Sequence, residues 1–196
     1  MLPPFLGALL LLGTVGIVLL SLLIALVTRL GGNGAAARKA LLPGAVIAGI
    51  YALFWVAGLV LSRESALPPG QALRFCGLDC HLHVSVASVE PGAELGVTVR
   101  FSSNAKQAPE WPGKLAFRLV DGAGKEYSPS NAVPDSALRA GQSWTHELRF
   151  PAVQQPRGAA LLVTWKPGLD YLVPGSGNPL VQRKTRLALP QPGGGV

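Results

Sequence analysis

The stretch Leu82-His83-Val84-Ser85-Val86-Ala87-Ser88-Val89, the turn Glu90-Pro91-Gly92, and then Glu94-Leu95-Gly96-Val97-Thr98-Val99-Arg100-Phe101 decide how the second half of the chain folds. Leu82, Val84 and Val86 alternate with His81, His83 and Ser85. After the turn, Leu95, Val97, Val99 and Phe101 alternate with polar or small residues. A period of two is the mark of a half-buried strand, and Pro-Gly between two such runs marks a turn. The pattern continues downstream. Leu115, Phe117 and Leu119 form one inward set, and Trp144, His146, Leu148 and Phe150 form another. Gly158 to Trp165 is more continuously apolar, as a central strand would be. Leu187 and Leu189 mark a last strand. Asp121-Gly122-Ala123-Gly124 suits a tight hairpin, because glycine accepts positive φ, and Arg139-Ala140-Gly141-Gln142 is a further turn. About seven short strands with this spacing predict an all-β sandwich over residues 71–190. His146 reads as a half-buried strand residue with a hydrogen-bond partner. Residues 102–113 and 166–182 are long loops, a length often tied to function or partner binding.

Upstream the composition changes. No charged side chain occurs from Met1 to Thr28, and Phe5–Val27 is a continuous apolar run. Leu41–Leu61 is a second. Both exceed the ~20 residues that span a bilayer as a helix, and backbone groups in lipid must bond internally. The chain is therefore expected to begin with a two-helix transmembrane hairpin over residues 1–62, with helices at about 5–27 and 41–61. The first run lacks the basic start and short core of a signal peptide and is expected to be retained. The intervening loop, 28–40, holds Arg29, Arg38 and Lys39 and no acid. The positive-inside rule puts it in the cytoplasm, with both termini outside and Trp55 placed as an interfacial anchor. The expected location is a bacterial inner membrane, with the β-domain on the periplasmic or outer side. Residues 63–70 read as a stiff linker and 191–196 as a flexible tail.

The net charge is +7, and only 14% of residues are charged. The basic residues beyond the loop are spread over many strands, which argues for a solvated surface and no nucleic-acid partner. No phosphate loop, Ser-His-Asp arrangement or pair of acids at persuasive spacing is visible, so no catalytic residue and no enzyme is expected.

Between the two halves lies Cys76-Gly77-Leu78-Asp79-Cys80-His81-Leu82-His83, with both cysteines and two of the three histidines of the chain. One reading is a Cys76–Cys80 disulfide, natural in an oxidising compartment with no cysteine left over. Its loop is short, so its effect would be on local shape. A second is covalent haem c. The spacing is one residue longer than Cys-x-x-Cys-His, and Met1 is the only methionine, so His-Met ligation within the domain is excluded. A third is copper or zinc held by Cys76, Cys80, His81 and His83. Free thiols are the remaining case. The disulfide, with no cofactor, is the leading reading.

Two resemblances add to this. A strand ending in Val-x-Pro-Gly and a following strand running into Ser102-Ser103-Asn104 resemble bacterial immunoglobulin-like domains on membrane anchors. Cys76-x-x-Asp79-Cys80-His81-Leu82 is similar to a segment of uncharacterised proteins of that type. The resemblance covers about residues 75–190. It implies an immunoglobulin-like sandwich and brings no established activity. The overall plan also resembles subunit II of haem-copper oxidases: a helical hairpin followed by an exported β-domain. That subunit binds two coppers through Cys-x-x-x-Cys-x-x-x-His near the end of its domain. Here the cluster opens the domain, the histidines fall at other spacings, and the downstream Met and upstream His are absent, so the likeness is one of topology.

These readings converge on a non-catalytic accessory or scaffold subunit of a larger membrane complex, by topology respiratory or photosynthetic. Its partners would be membrane lipid and other integral membrane subunits. Ala45-x-x-x-Gly49 and Gly13-x-x-Gly16 would allow close helix approach, to a partner or within the hairpin itself. The alternative is a metal- or haem-binding redox protein built on the Cys-His cluster.

Overall fold

The computed structural model describes residues 4–75, 81–153, 158–166, 169–174 and 178–190. Helix α1 spans Pro4–Leu30 and helix α2 spans Gly34–Leu61. Both are long and apolar enough to cross a membrane. The segment read as a loop over 28–40 is helical apart from Gly31–Asn33. Asn33 caps α2, its side-chain oxygen accepting from the Ala36 amide at 3.0 Å, and Ala35–Ala37 are strong helix formers. Arg29 thus lies in the last turn of α1, and Arg38 and Lys39 lie near the start of α2, which begins seven residues before its apolar run. The two helices pack where small residues meet. Ser21, Ala25, Ala37 and Gly44 are buried, and a Cβ added at Gly44 would come within 3.0 Å of Ser21 Cβ.

The rest is mostly β. Its strands are β1 (Ser65–Leu67), β2 (Leu73–Phe75), β3 (Leu82–Glu90), β4 (Glu94–Ser103), β5 (Leu115–Val120), β6 (Glu126–Tyr127), β7 (Ser143–Pro151), β8 (Ala160–Trp165) and β9 (Thr185–Ala188). They form a five-stranded sheet in the order β1-β9-β8-β5-β6 and a four-stranded sheet in the order β2-β3-β4-β7. A four-residue helix, α3 (Pro179–Gln182), precedes β9. The presumed linker 63–70 is part of this architecture, since β1 pairs parallel with β9. Its three residues carry no readable periodicity, and its partner lies at the far end of the domain.

One core joins the two sheets. Val84, Val97, Val99, Phe101, Leu148 and Phe150 from the smaller sheet meet Leu119, Leu161, Val163 and Leu187 from the larger, all essentially inaccessible to solvent. Burying each such side chain is worth about 1.5–3 kcal/mol. The Phe101 ring stands edge-on to Phe117 across the sheets, with centroids 5.9 Å apart. Strand β8 is central, and its residues Ala160 to Val163 are all buried.

The alternation in β3 changes parity at Ala87, where the register with β4 shifts between Val86 and Ser88. A bulge of one residue exchanges the faces, and Val89 thereby packs against the core with Val84 and Val86.

The β5–β6 turn is fixed by Asp121, only 5% exposed. Its Oδ1 accepts from the Ala123 and Lys125 amides at 2.9 Å each, and its Oδ2 accepts from the Tyr127 hydroxyl at 3.0 Å. The Lys125 amide, ahead of the Tyr127 hydroxyl and the Ala123 amide, holds the carboxyl below the usual carboxylate range against the opposing effect of burial. Burial first, and the Asp121 carboxylate second, push the Tyr127 phenol up. A carboxyl with a lowered folded pKa stabilises the fold above its unfolded value of about 3.9, and the effect is lost as pH falls through the folded value. Asp121→Asn should therefore lower the melting temperature of the purified chain at pH 7, and the gap to wild type should close on acidification below about pH 4. A gap that stays constant into acid would contradict this assignment.

Candidate functional site

Two regions bring chemistry-bearing side chains together. The first is the junction between the helices and the β-domain. Tyr51, Trp55 and Leu59 are spaced four apart and share one face of α2. Tyr171, Leu172 and Lys184 meet that face. Trp55 Nε1 donates to the Tyr171 carbonyl at 3.0 Å, and the Tyr51 hydroxyl donates to the Leu172 carbonyl. Lys184 Nζ donates to the carbonyls of Leu59 and Ser62 at 2.6 and 2.9 Å. The last carbonyls of a helix have no intrahelical donors and sit at the negative end of its dipole, so a half-buried ammonium is an apt partner. The Lys184 carbonyl in turn accepts from the Ser65 amide at 2.8 Å, which ties the exit of α2 to β1 and β9.

Asn178, 1% exposed, organises this region from inside. Its Nδ2 donates to the carbonyls of Tyr171 and Val173, and its Oδ1 accepts from the Leu180 amide, each at 2.9 Å. The last of these bonds caps α3. Helix α1 takes part through Gly7, which is buried: an added Cβ there would collide with the Pro174 carbonyl oxygen and the Val173 side chain. The long 166–182 loop, read in sequence as a functional or partner-binding element, thus docks along its described residues on the chain's own helices. The other long loop, 102–113, is pinned by a bridge between Glu110 and Leu138.

The second region is the start of β3. Cys76 and Cys80 lie outside the described residues, so their expected disulfide and ligand roles fall there as well. His81 and His83 stand on the face of β3 opposite Leu82 and Val84. His81 Nδ1 lies 2.9 Å from Asn104 Oδ1. His83 Nε2 is buried with no hydrogen-bond partner among the described residues. No three His, Cys, Asp or Glu side chains among the described residues come close enough to hold a metal. His146 is half-buried, with the Asn131 amide nitrogen 3.5 Å from its Nε2.

The helix-packing glycines lie apart from both regions. A Cβ added at Gly13, Gly16 or Gly49 would meet nothing within 4 Å, whereas Gly44 is the glycine at the hairpin seam. Ala45 is exposed and borders a small pocket beside that seam.

Sequence reading did not single out Gly7, Asn178 or Lys184. Asn178-Pro179 is a recognisable turn and helix-start signal. Nothing local in sequence connects Lys184 to a helix end 125 residues earlier. Comparisons with known protein families, with curated proteins and with solved structures find no match to this chain.

Removing the Lys184 ammonium should weaken the junction by about 1–3 kcal/mol, since the Ser62 carbonyl loses its donor and the Leu59 carbonyl keeps only the Ser62 hydroxyl at 2.8 Å. Lys184→Met is expected to speed amide hydrogen exchange across 178–184 while leaving β3 and β4 unchanged. Gly7→Val should act in the same direction through its clash with Pro174. Unaltered exchange in both variants would show that these contacts do not hold the domain down.

Proposed function

We propose that this chain is a non-catalytic accessory or scaffold subunit of a larger membrane complex. The two helices anchor it as a hairpin, with the N-terminus and the β-domain on the outer side and the basic turn in the cytoplasm. The β-domain covers or clamps exported surfaces of partner subunits. The observation that carries this reading is the junction. The β-domain is hydrogen-bonded to the C-terminal half of α2 and approaches α1 closely at Gly7, so helix packing and domain placement are mechanically linked. The long apolar faces of α1 and α2 remain exposed, as they would for contact with lipid and neighbouring helices. The likeness in plan to oxidase subunit II points to a respiratory or photosynthetic assembly.

An immunoglobulin-like architecture fits the strand order. Strands β3-β4-β7 pair as A-B-E do in such domains, and β9-β8-β5-β6 pair as G-F-C-C′ do. From β3 onward the chain crosses between sheets at β4→β5, β6→β7 and β7→β8, as that topology requires.

Gly13→Leu and Gly49→Leu separate assembly from folding, because the added side chains meet open space within the chain. On native gels of mildly solubilised membranes, wild type should migrate well above its 20.4 kDa mass, and the variants should shift toward the free chain. Their thermal unfolding should match wild type. Variants that stay in an unchanged complex, or a wild type that migrates as a free chain, would count against the scaffold role.

One observation favours a second reading, a redox or metal-handling role for Cys76, Cys80, His81 and His83. It is the buried Nε2 of His83, which has no hydrogen-bond partner among the described residues. Intact mass and metal analysis of the purified chain separate the two. The scaffold reading expects a metal-free protein lighter than its reduced form by two hydrogens, the mark of a Cys76–Cys80 disulfide. Stoichiometric copper or an added haem mass would favour the redox role.

A further inference from the structure

The turn end of the helical hairpin carries a second kind of site. An open groove of about 920 Å³ runs between the last turns of α1 and the first turns of α2. Arg29 and Arg38 line it toward the turn, and Leu22, Leu26 and Leu41 line it farther along the helices. A smaller pocket of about 230 Å³ shares Leu22 and Leu41 and continues along the seam to Ala48. The helix rises roughly 15 Å between Arg38 and Ala48 at 1.5 Å per residue. That is half of the ~30 Å hydrocarbon core, the depth of one leaflet.

The chemistry changes along this length. Residues 1–62 contain no acidic side chain. Both arginines are exposed, and neither takes part in the ion pairs found among the described residues. The positive end of the α2 dipole faces the same space, through Gly34 and Ala35. Farther in, the groove is bordered by leucine and alanine. Two planar guanidinium groups above an apolar channel one leaflet deep match a single molecule with a phosphate head and an acyl chain. Guanidinium forks take phosphate oxygens two at a time, and basic pockets between membrane helices are recognised headgroup sites.

We propose that this groove binds one anionic phospholipid from the leaflet at the turn end. Its phosphate sits between Arg29 and Arg38, and an acyl chain lies along the Leu22–Leu41 seam. The inference rests on α1 and α2 spanning a bilayer. It needs no partner subunit and no particular orientation. Lys39 lies in the same basic stretch but outside the groove lining, which separates a built site from diffuse surface charge.

The test is native mass spectrometry of the full-length chain in detergent, with phosphatidylglycerol or phosphatidylcholine of identical acyl chains as probes. Wild type should retain one phosphatidylglycerol in preference to phosphatidylcholine. Arg29→Gln combined with Arg38→Gln should reduce that preference roughly 25-fold, about fivefold per arginine. Lys39→Gln should leave it intact. Ala48→Phe, which fills the seam, should weaken retention of both lipids. Equal retention of the two lipids by wild type would overturn the proposal, as would a loss in Lys39→Gln as large as in the arginine variants. Displacement of the lipid by equimolar inorganic phosphate would also overturn it, because the site would then hold an anion and not a lipid. Phosphatidylcholine adducts that persist in the double variant would show the helices still taking up lipid, so failure of this site is distinct from failure of the membrane reading.

Discussion

The carbonyl groups in the last turn of α2 lack intrahelical donors, and the ammonium that meets them arrives from the far end of the chain. Lys184 bonds the carbonyls of Leu59 and Ser62, while its own backbone carbonyl holds the Ser65 amide. A helix end that must be satisfied is thereby joined to the edge of a sheet. Strand β1 follows within a few residues and pairs with β9, which begins just after Lys184. The β-domain is thus attached to the helices at both ends of its own sequence. A flexible tether would leave its orientation free. The contacts of Tyr51 and Trp55 to the 171–172 backbone widen the attachment along α2, and Gly7 with Pro174 extends it to α1.

The cost of this arrangement falls on Tyr171 to Pro174, which lie outside any strand or α-helix and must find other partners for their backbone. Asn178 meets that need by serving two carbonyls and one amide from a buried position. Aromatic side chains of the helix supply further donors. Irregular backbone packed on a helix this apolar needs protein groups to meet its polar atoms.

Much of this fold was legible in sequence because its signals are local. Two uncharged apolar runs gave two helices. Period-two alternation gave β3, β4, β5 and β7 with the buried residues on the expected faces, and continuous apolarity marked β8 as central. Legibility failed where partners are distant or where one residue changes parity. Nothing in Ser65–Leu67 announces a parallel partner 120 residues away, so the strand looks like linker in sequence. The bulge at Ala87 is visible only once Val89 is seen to face the core. Helix α2 begins seven residues before its uncharged run, because Asn33 and the alanines that follow it set the helical start and the charges of Arg38 and Lys39 do not interrupt it. The Cys-His cluster drew notice through composition, but Cys76 and Cys80 lie outside the described residues. The junction, which carries the functional reading, rests on an asparagine, a lysine and a glycine whose roles depend wholly on what packs against them.

The central claim is that the β-domain is held in one pose on the helices. Its most direct test is a pulsed electron-spin distance measurement on the full chain in lipid nanodiscs. One label would replace Leu42 on α2 and the other Ala123 in the β5–β6 turn, both exposed positions. A fixed junction gives a single narrow distance distribution, unchanged between detergent and bilayer. A broad distribution, or several separate distances, would mean that the domain swings on a tether and that the contacts of Lys184, Trp55 and Gly7 do not govern its position.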